Sequence, residues 1–305
     1  MLAVQKPDLK QILPYLPDAV SDIILSLNER QLRDLQEIRL RSDRPLSLRI
    51  GGREERFALI ISTEYLQQSL RLLSANSFYA MEEQLKNGFI TLAGGHRAGL
   101  VGRAVLKEGK IATLTDISGI NLRLARFVKG AAGEVKPYLY ENGELYSTLI
   151  ISPPGAGKTT VLRDLAYCLP HTVSVVDERG ELAGSFNGRH SLPLGEGVDV
   201  LDGCPKAEGI NLLLRSMGPE VILCDEIGSK SDAEAILAAV TSGVKIIASA
   251  HGGSIDQVFD KPDLARLFNA KVFGRLLLLG ARPRVGSLLA VYDQNLSVLY
   301  ERRDE

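Results

Sequence analysis

The chain has no tryptophan, and aromatic residues make up only 6% of its 305 positions. A platform for single-stranded nucleic acid needs aromatic faces on which bases stack, and that interleaving is missing here. The three cysteines, Cys168, Cys204 and Cys224, lie far apart, with neither a disulfide framework nor a paired zinc-ligand spacing. They read as reduced, mostly buried residues of a cytoplasmic protein. No stretch reaches the roughly 18 uninterrupted apolar residues of a spanning helix. The opening MLAVQKPDLKQ lacks the apolar core of a signal peptide, so membrane association is expected only through a partner. A formal net charge of −1 gives no global reason for a polyanionic partner. The charge is uneven, however: residues 1–135 carry 19 Lys+Arg against 15 Asp+Glu, or +4, and the remainder 17 against 22, or −5. That asymmetry suits one subunit's front docking on another's back, and equally a weak nucleic-acid contact.

What is present is a soluble globular composition, 45% hydrophobic and 24% charged, long enough for two domains with a core each. The chain is organised around Leu149-Ile-Ile-Ser-Pro-Pro-Gly-Ala-Gly-Lys-Thr-Thr-Val-Leu162, an apolar run that breaks at a proline pair and resumes as a helix-compatible pattern. This is a phosphate-binding loop. Small residues let the backbone N–H groups of Pro154-Gly155-Ala156-Gly157-Lys158-Thr159-Thr160 (proline aside) curl round a polyphosphate, and the following helix adds its positive dipole end. Lys158 would reach the β and γ phosphates and Thr159 would offer its hydroxyl to Mg2+. Ser152 stands where the motif usually begins with glycine.

Upstream, residues 1 to about 30 read as helical, with Ala19, Val20, Ile23, Ile24 and Leu27 at helical spacing. Residues 37–41 and 46–50 alternate as a strand pair closed by Gly51-Gly52, and residues 63–87 return to helical spacing. Further strands are expected at 89–93, 97–106 and 111–114. The expected organisation is an α+β N-terminal domain over 1–128, a linker over 129–147 and a P-loop ATPase domain over 148–305. Arg97, Arg103, Arg123 and Arg126 fall near the junction, where any of them could fork onto phosphate oxygens as an arginine finger from a moving domain or a neighbouring subunit.

Downstream, the run Thr172–Val176 ends at Asp177-Glu-Arg-Gly-Glu-Leu182, and strand, loop, helix, strand at this spacing opens a parallel α/β sheet. Ligands gather at the carboxyl ends of such strands, which is where Asp177, Glu178 and Glu181 would lie. Val221-Ile-Leu-Cys-Asp-Glu226 is a buried-strand pattern that delivers Asp225 to the sheet edge as the Mg2+ partner and Glu226 as the base that polarises water. A helix over 231–241 and a strand over 244–249 lead to His251, placed to sense a γ phosphate. The runs 275–279, 287–292 and 297–300 read as strands extending the sheet.

These motifs together resemble the type II and type IV secretion ATPase superfamily, hexameric traffic motors. Residues 37–41 with 48–52 are similar to the family's first strand pair, and Asn121-Leu-Arg-Leu-Ala-Arg126 to its arginine-bearing strand. Asp177-Glu178 with Glu181 is similar to its acidic box, Leu214–Glu220 with Asp225-Glu226 to its Mg2+ and base segment, and Thr241–Gly243 with Ser249-Ala-His251 to its histidine box. The family commonly has glycine where this chain has Asp225, and the four-cysteine zinc element of type II members is absent. The Pro-Pro phosphate loop, Gly94-Gly-His-Arg97 and the acidic box look closest to the sporulation branch of the superfamily.

The resemblance implies an ATP- and Mg2+-dependent homo-oligomer, a hexamer in the family, working with membrane-embedded channel components at the cytoplasmic face of the mother-cell membrane. It also implies that Glu178 tunes the metal site. Two other readings stay open: a nucleic-acid-binding P-loop ATPase, and a nucleotide-gated scaffold that does not hydrolyse.

Overall fold

A computed structural model describes residues 3, 4, 6–74, 88–185, 188–282 and 284–303. The chain separates into two compact units. One comprises Val4–Arg126 with Gly184–Leu192; the other comprises Met1–Ala3, Phe127–Ala183 and Pro193–Glu305.

In the first unit the opening thirty residues are not one helical run. They divide into two single 3-10 turns, Leu9–Gln11 and Leu13–Tyr15, followed by α1 (Asp18–Leu25) and α2 (Glu29–Asp34). Pro14 and Pro17 account for the breaks before α1, since proline has no N–H to donate and its ring clashes with the preceding turn. Asn28 and Gln31 then start α2 with a reciprocal capping box. Six antiparallel strands follow: β1 (Leu35–Arg41), β2 (Arg44–Ile50), β3 (Arg53–Ile61), β4 (Phe89–Thr91), β5 (Arg97–Lys107) and β6 (Lys110–Arg123). Their spatial order is β3-β2-β1-β6-β5-β4. Gly51-Gly52, expected to end a strand pair, instead turn the chain directly into β3.

Helix α3 (Thr63–Leu73) accounts for the first part of the expected 63–87 helix; residues 75–87 lie outside the described residues. The core sits where the apolar face of the sheet, with Ile38, Leu40, Leu48, Ile120 and Leu122, meets Val20 and Ile24 of α1 and Leu66 of α3.

The second unit is built on an eight-stranded sheet. Its elements are β7 (Thr148–Ser152), α4 (Lys158–Cys168), β8 (Val173–Asp177), β9 (Val198–Asp202), α5 (Lys206–Ser216), β10 (Val221–Cys224), α6 (Lys230–Thr241), β11 (Lys245–His251), α7 (Ile255–Phe259), α8 (Pro262–Asn269), β12 (Arg275–Gly280), β13 (Ser287–Asp293) and β14 (Val298–Glu301). The order is β9-β8-β10-β11-β7-β12-β13-β14, parallel as far as β12 and antiparallel beyond it. The C-terminal runs therefore extend the sheet. Strands β7, β8 and β10 are buried along their whole length, which is why they read as mainly apolar runs rather than alternating ones. Edge strand β9 is half-buried and alternates Val, Asp, Val, Leu, Asp, and it gave no comparable signal.

Residues 127–147 contribute Ala132, Val135, Leu139 and Leu145 to the core that holds Ile150, Val161, Leu162 and Leu165. Polar contacts tie the same stretch down. Asp164 accepts from the amides of Gly130 and Ala132 at 3.0 and 2.8 Å. Glu134 pairs with Arg284 and accepts from Arg302 at 2.8 Å and from the Leu288 amide at 3.1 Å.

Candidate functional site: the phosphate loop and the sheet edge

All parallel strands of the second unit end on one edge, and the candidate residues of that unit collect there. Strand β7 stops at Ser152, the chain turns through Pro153–Gly157, and α4 begins at Lys158. Gly157 caps the helix at φ +95°, and a Cβ there would stand 3.0 Å from the backbone of Gly286. Only glycine meets both demands. Gly286 itself donates its N–H to the carbonyl of Ala156 at 3.0 Å, so the β12–β13 turn braces the loop. Pro154 and Gly155 form its exposed crest, Ala156 is buried beneath, and Thr159 and Thr160 occupy the first helical turn.

Lys158 is largely buried. Its Nζ donates to the carbonyl of Ser152 at 3.1 Å and that of Pro153 at 3.4 Å, lies 3.4 Å from the Ser152 hydroxyl, and is 3.5 Å from His251 Nδ1. Ser152, the departure from the usual motif, thus helps hold the lysine. Burial pulls the Lys158 ammonium below the usual lysine range, against the pull of Asp225, Glu226 and Glu181. His251 closes β11 directly beside Ser152 in parallel register. Thr159 Oγ1 donates to Asp225 Oδ2 at 2.5 Å, joining the phosphate-loop helix to the end of β10.

Ser249, whose role the sequence did not reveal, organises the two carboxylates after β10. Fully buried on β11, it donates its hydroxyl to Asp225 Oδ1 and accepts the Glu226 amide at 2.9 Å, while its carbonyl accepts the Ile227 amide at 2.8 Å. Glu226 sits at φ +55°, an unusual backbone for a non-glycine residue. Two short-range bonds to one neighbouring serine hold that turn. Its position two residues before His251 was the only local signal for Ser249.

The acidic box is split in its duties. Asp177, 2% exposed, turns inward and accepts three backbone amides, those of Glu181, Leu182 and Ala183, at 2.8, 2.9 and 2.8 Å. Arg163 of α4 donates to the carbonyls of Glu181 and Leu182 from the other side. Glu178 and Glu181 line a cleft with Asp225 and Glu226. Two cations that the sequence reading did not single out share it: Arg179 bonds Glu226 at 2.6 Å, and Lys206 is paired with Glu178. Arg179 was visible inside the acidic box, whereas nothing local marked Lys206.

The four candidate arginines all lie in the first unit, and three have partners there. The Arg97 guanidinium stands 4.9 Å from the centre of the Phe89 ring, Arg103 pairs with Asp116 at 3.3 Å, and Arg126 donates to the Leu35 carbonyl. Arg123 ends β6 and is exposed. In the same unit Gly95 and Gly184 meet backbone to backbone: a Cβ on either would stand 2.8 Å from the other's Cα.

The donor set suits Mg2+, a hard cation that takes oxygen ligands. Thr159 Oγ1 and Asp225 Oδ2 are the protein oxygens that would hold it. Among the described residues no group of three or more His, Cys, Asp or Glu forms a metal site by itself, so the remaining ligands would come from phosphate and water. No helix among the described residues is long and apolar enough to cross a membrane.

Fold and motif placement define the P-loop fold of the secretion ATPases with a smaller α+β unit before it. Solved structures agree on the fold. The Legionella pneumophila ATPase DotB superposes with a TM-score of 0.54 at 16% identity, over 86% of this chain and 74% of that one. The pilus retraction motor PilT with bound ADP gives 0.54 at 15% identity, over 80% and 74%. Within that class the chain belongs to the family "Sporulation stage III, protein AA", whose description matches residues 7–299. It is 40% identical to "Stage III sporulation protein AA" of Bacillus subtilis (strain 168), over 95% of this chain and 97% of that protein.

Proposed function

We propose that the chain is an Mg2+-dependent ATPase working in sporulation. The observation that carries the reading is the 2.5 Å bond from Thr159 to Asp225, because it couples the loop that would cradle phosphates to the strand end that would hold the metal. Around it, Lys158 and the loop amides bind the β and γ phosphates, Glu226 orients and deprotonates the attacking water, and His251, 3.5 Å from Lys158, reports the γ phosphate. Thr159 and Asp225 would hold Mg2+, which when bound would supply positive charge against the charge developing on the phosphates.

Hydrolysis drives the N-terminal unit against the nucleotide unit in a homo-oligomeric ring, a hexamer by family likeness. One of Arg97, Arg103, Arg123 and Arg126 then completes a site in trans. The ring works with membrane-embedded channel components at the cytoplasmic face of the membrane on the mother-cell side. ATP turnover of wild type against Glu226→Gln tests the core of this. The variant should lose ~10²–10⁴-fold in rate while still binding nucleotide; equal turnover removes Glu226 from the chemistry.

A further inference from the structure

Lys206 is a charged residue in the cleft to which no motif assigns a role. It is 9% exposed and opens helix α5, the end at which the helix dipole repels a cation. The residue before it, Pro205, offers no side-chain cap. A lysine buried at that end needs a carboxylate, and the one it has is Glu178, whose side chain is 37% exposed to the cleft. Asp177, one residue earlier, is saturated by three amides. Asp225 is engaged by two hydroxyls and Glu226 by Arg179. Among Asp177, Glu178, Asp225 and Glu226, Glu178 is the one whose direction is set by a buried lysine.

Resting on the ATPase reading, we infer that Lys206 is a positioning residue. It holds Glu178 against the α5 wall of the cleft and so keeps it out of the metal's ligand set, leaving the divalent cation to Thr159, Asp225 and nucleotide phosphate. Lys206 thereby sets how tightly the site takes a divalent ion. Without the lysine, Glu178 turns into the cleft as an additional hard oxygen ligand, and one positive charge is gone from the neighbourhood.

The test is Mn2+ titration of the full chain with saturating ADP, reading unbound Mn2+ by electron paramagnetic resonance. Lys206→Met should bind Mn2+ at least about tenfold tighter than wild type, the lower bound when one unit charge is removed from the cleft a divalent ion shares and the two are screened nearly as in water. Lys206→Arg should match wild type. Adding Glu178→Gln to Lys206→Met should cancel the gain, an outcome that a general loosening of α5 would not produce.

Glu178→Gln alone, which keeps the lysine but removes its counter-charge, should weaken Mn2+ binding; this variant decides the matter if Lys206→Met does not fold. Mn2+ affinity within twofold of wild type in folded Lys206→Met overturns the inference, as does a gain that survives Glu178→Gln. ADP binding by wild type is measured in the same series, so loss of the nucleotide reading itself would be seen separately.

Discussion

Asparagine in place of Asp177 removes one acceptor oxygen from the anchor of the acidic loop and changes little else in shape. The carboxylate takes the Glu181 amide on Oδ1 and the Leu182 and Ala183 amides on Oδ2, all within 2.9 Å, and the site is closed to water. An asparagine keeps one oxygen. In its better orientation the side-chain amide faces the Glu181 N–H, and in the other it faces two amides. A buried N–H left unpaired costs about 1–3 kcal/mol. The surviving bonds lose their charge assistance, which is roughly half their strength. The expected loss is ~2–4 kcal/mol, concentrated in residues 178–183. Urea denaturation of the full chain reads the total, and hydrogen exchange of peptides spanning these residues reads where it falls. A loss below ~1 kcal/mol with unchanged exchange at Leu182 and Ala183 would refute the assignment of Asp177 as the loop's anchor.

Buried His96 accepts the Ala125 amide at 2.9 Å, and desolvation, only partly opposed by Asp8, pushes its pKa down to about 4. The unfolded chain binds this proton near the ordinary value of 6.5 and the folded chain does not, so stability is full above that pH and falls as pH drops towards 4. The full contribution is about 3 kcal/mol. About 2 kcal/mol of it falls between pH 6.5 and pH 4.5, and that part should vanish from the difference between unfolding curves at the two pH values in His96→Gln, compared with wild type. Gly184→Ala should cost ~2–4 kcal/mol through positive φ and collision with Gly95, whereas Gly51→Ala, at φ +56° with nothing within 4 Å, should cost only the ~1–2 kcal/mol backbone term. Equal urea midpoints for the two variants would show that the glycine contact is not tight. Lys158→Met should reduce ADP affinity by ~10–10²-fold in calorimetry, since a charge-assisted phosphate contact is lost from a partly buried site.

Much of the fold was legible because its signals are local. Runs such as residues 149–151, 173–176 and 221–224 are buried on both faces and so are apolar but for Ser174, while the proline pair and glycines after Ser152 mark where the chain must turn. What was misjudged is equally local in origin. Pro14 and Pro17 cut the opening helix, the Gly51-Gly52 turn leads to a further strand, and half-buried β9 lacks an apolar run. In the site, residues that announce themselves by motif, namely Lys158, Thr159, Asp225, Glu226 and His251, stand within one small region of the sheet edge. Ser249 and Lys206 do not announce themselves. A serine in a buried strand and a lysine at a helix start are ordinary residues until the partner is known.

The sequence by itself determined the class of protein and most of the parallel sheet's elements, because loop chemistry, burial on two faces and turn residues act over a few positions. Tertiary structure alone decided which atoms meet. It set Ser249 between Asp225 and Glu226, turned Asp177 inward and left Glu178 to Lys206. It also built Gly184–Leu192, which leaves the acidic box, into the other unit. Apart from the amides that Asp177 accepts four to six residues ahead, these contacts join residues at least 23 positions apart, across strands whose order in space is not their order in the chain. Their partners are chosen by packing, which no short window of sequence contains.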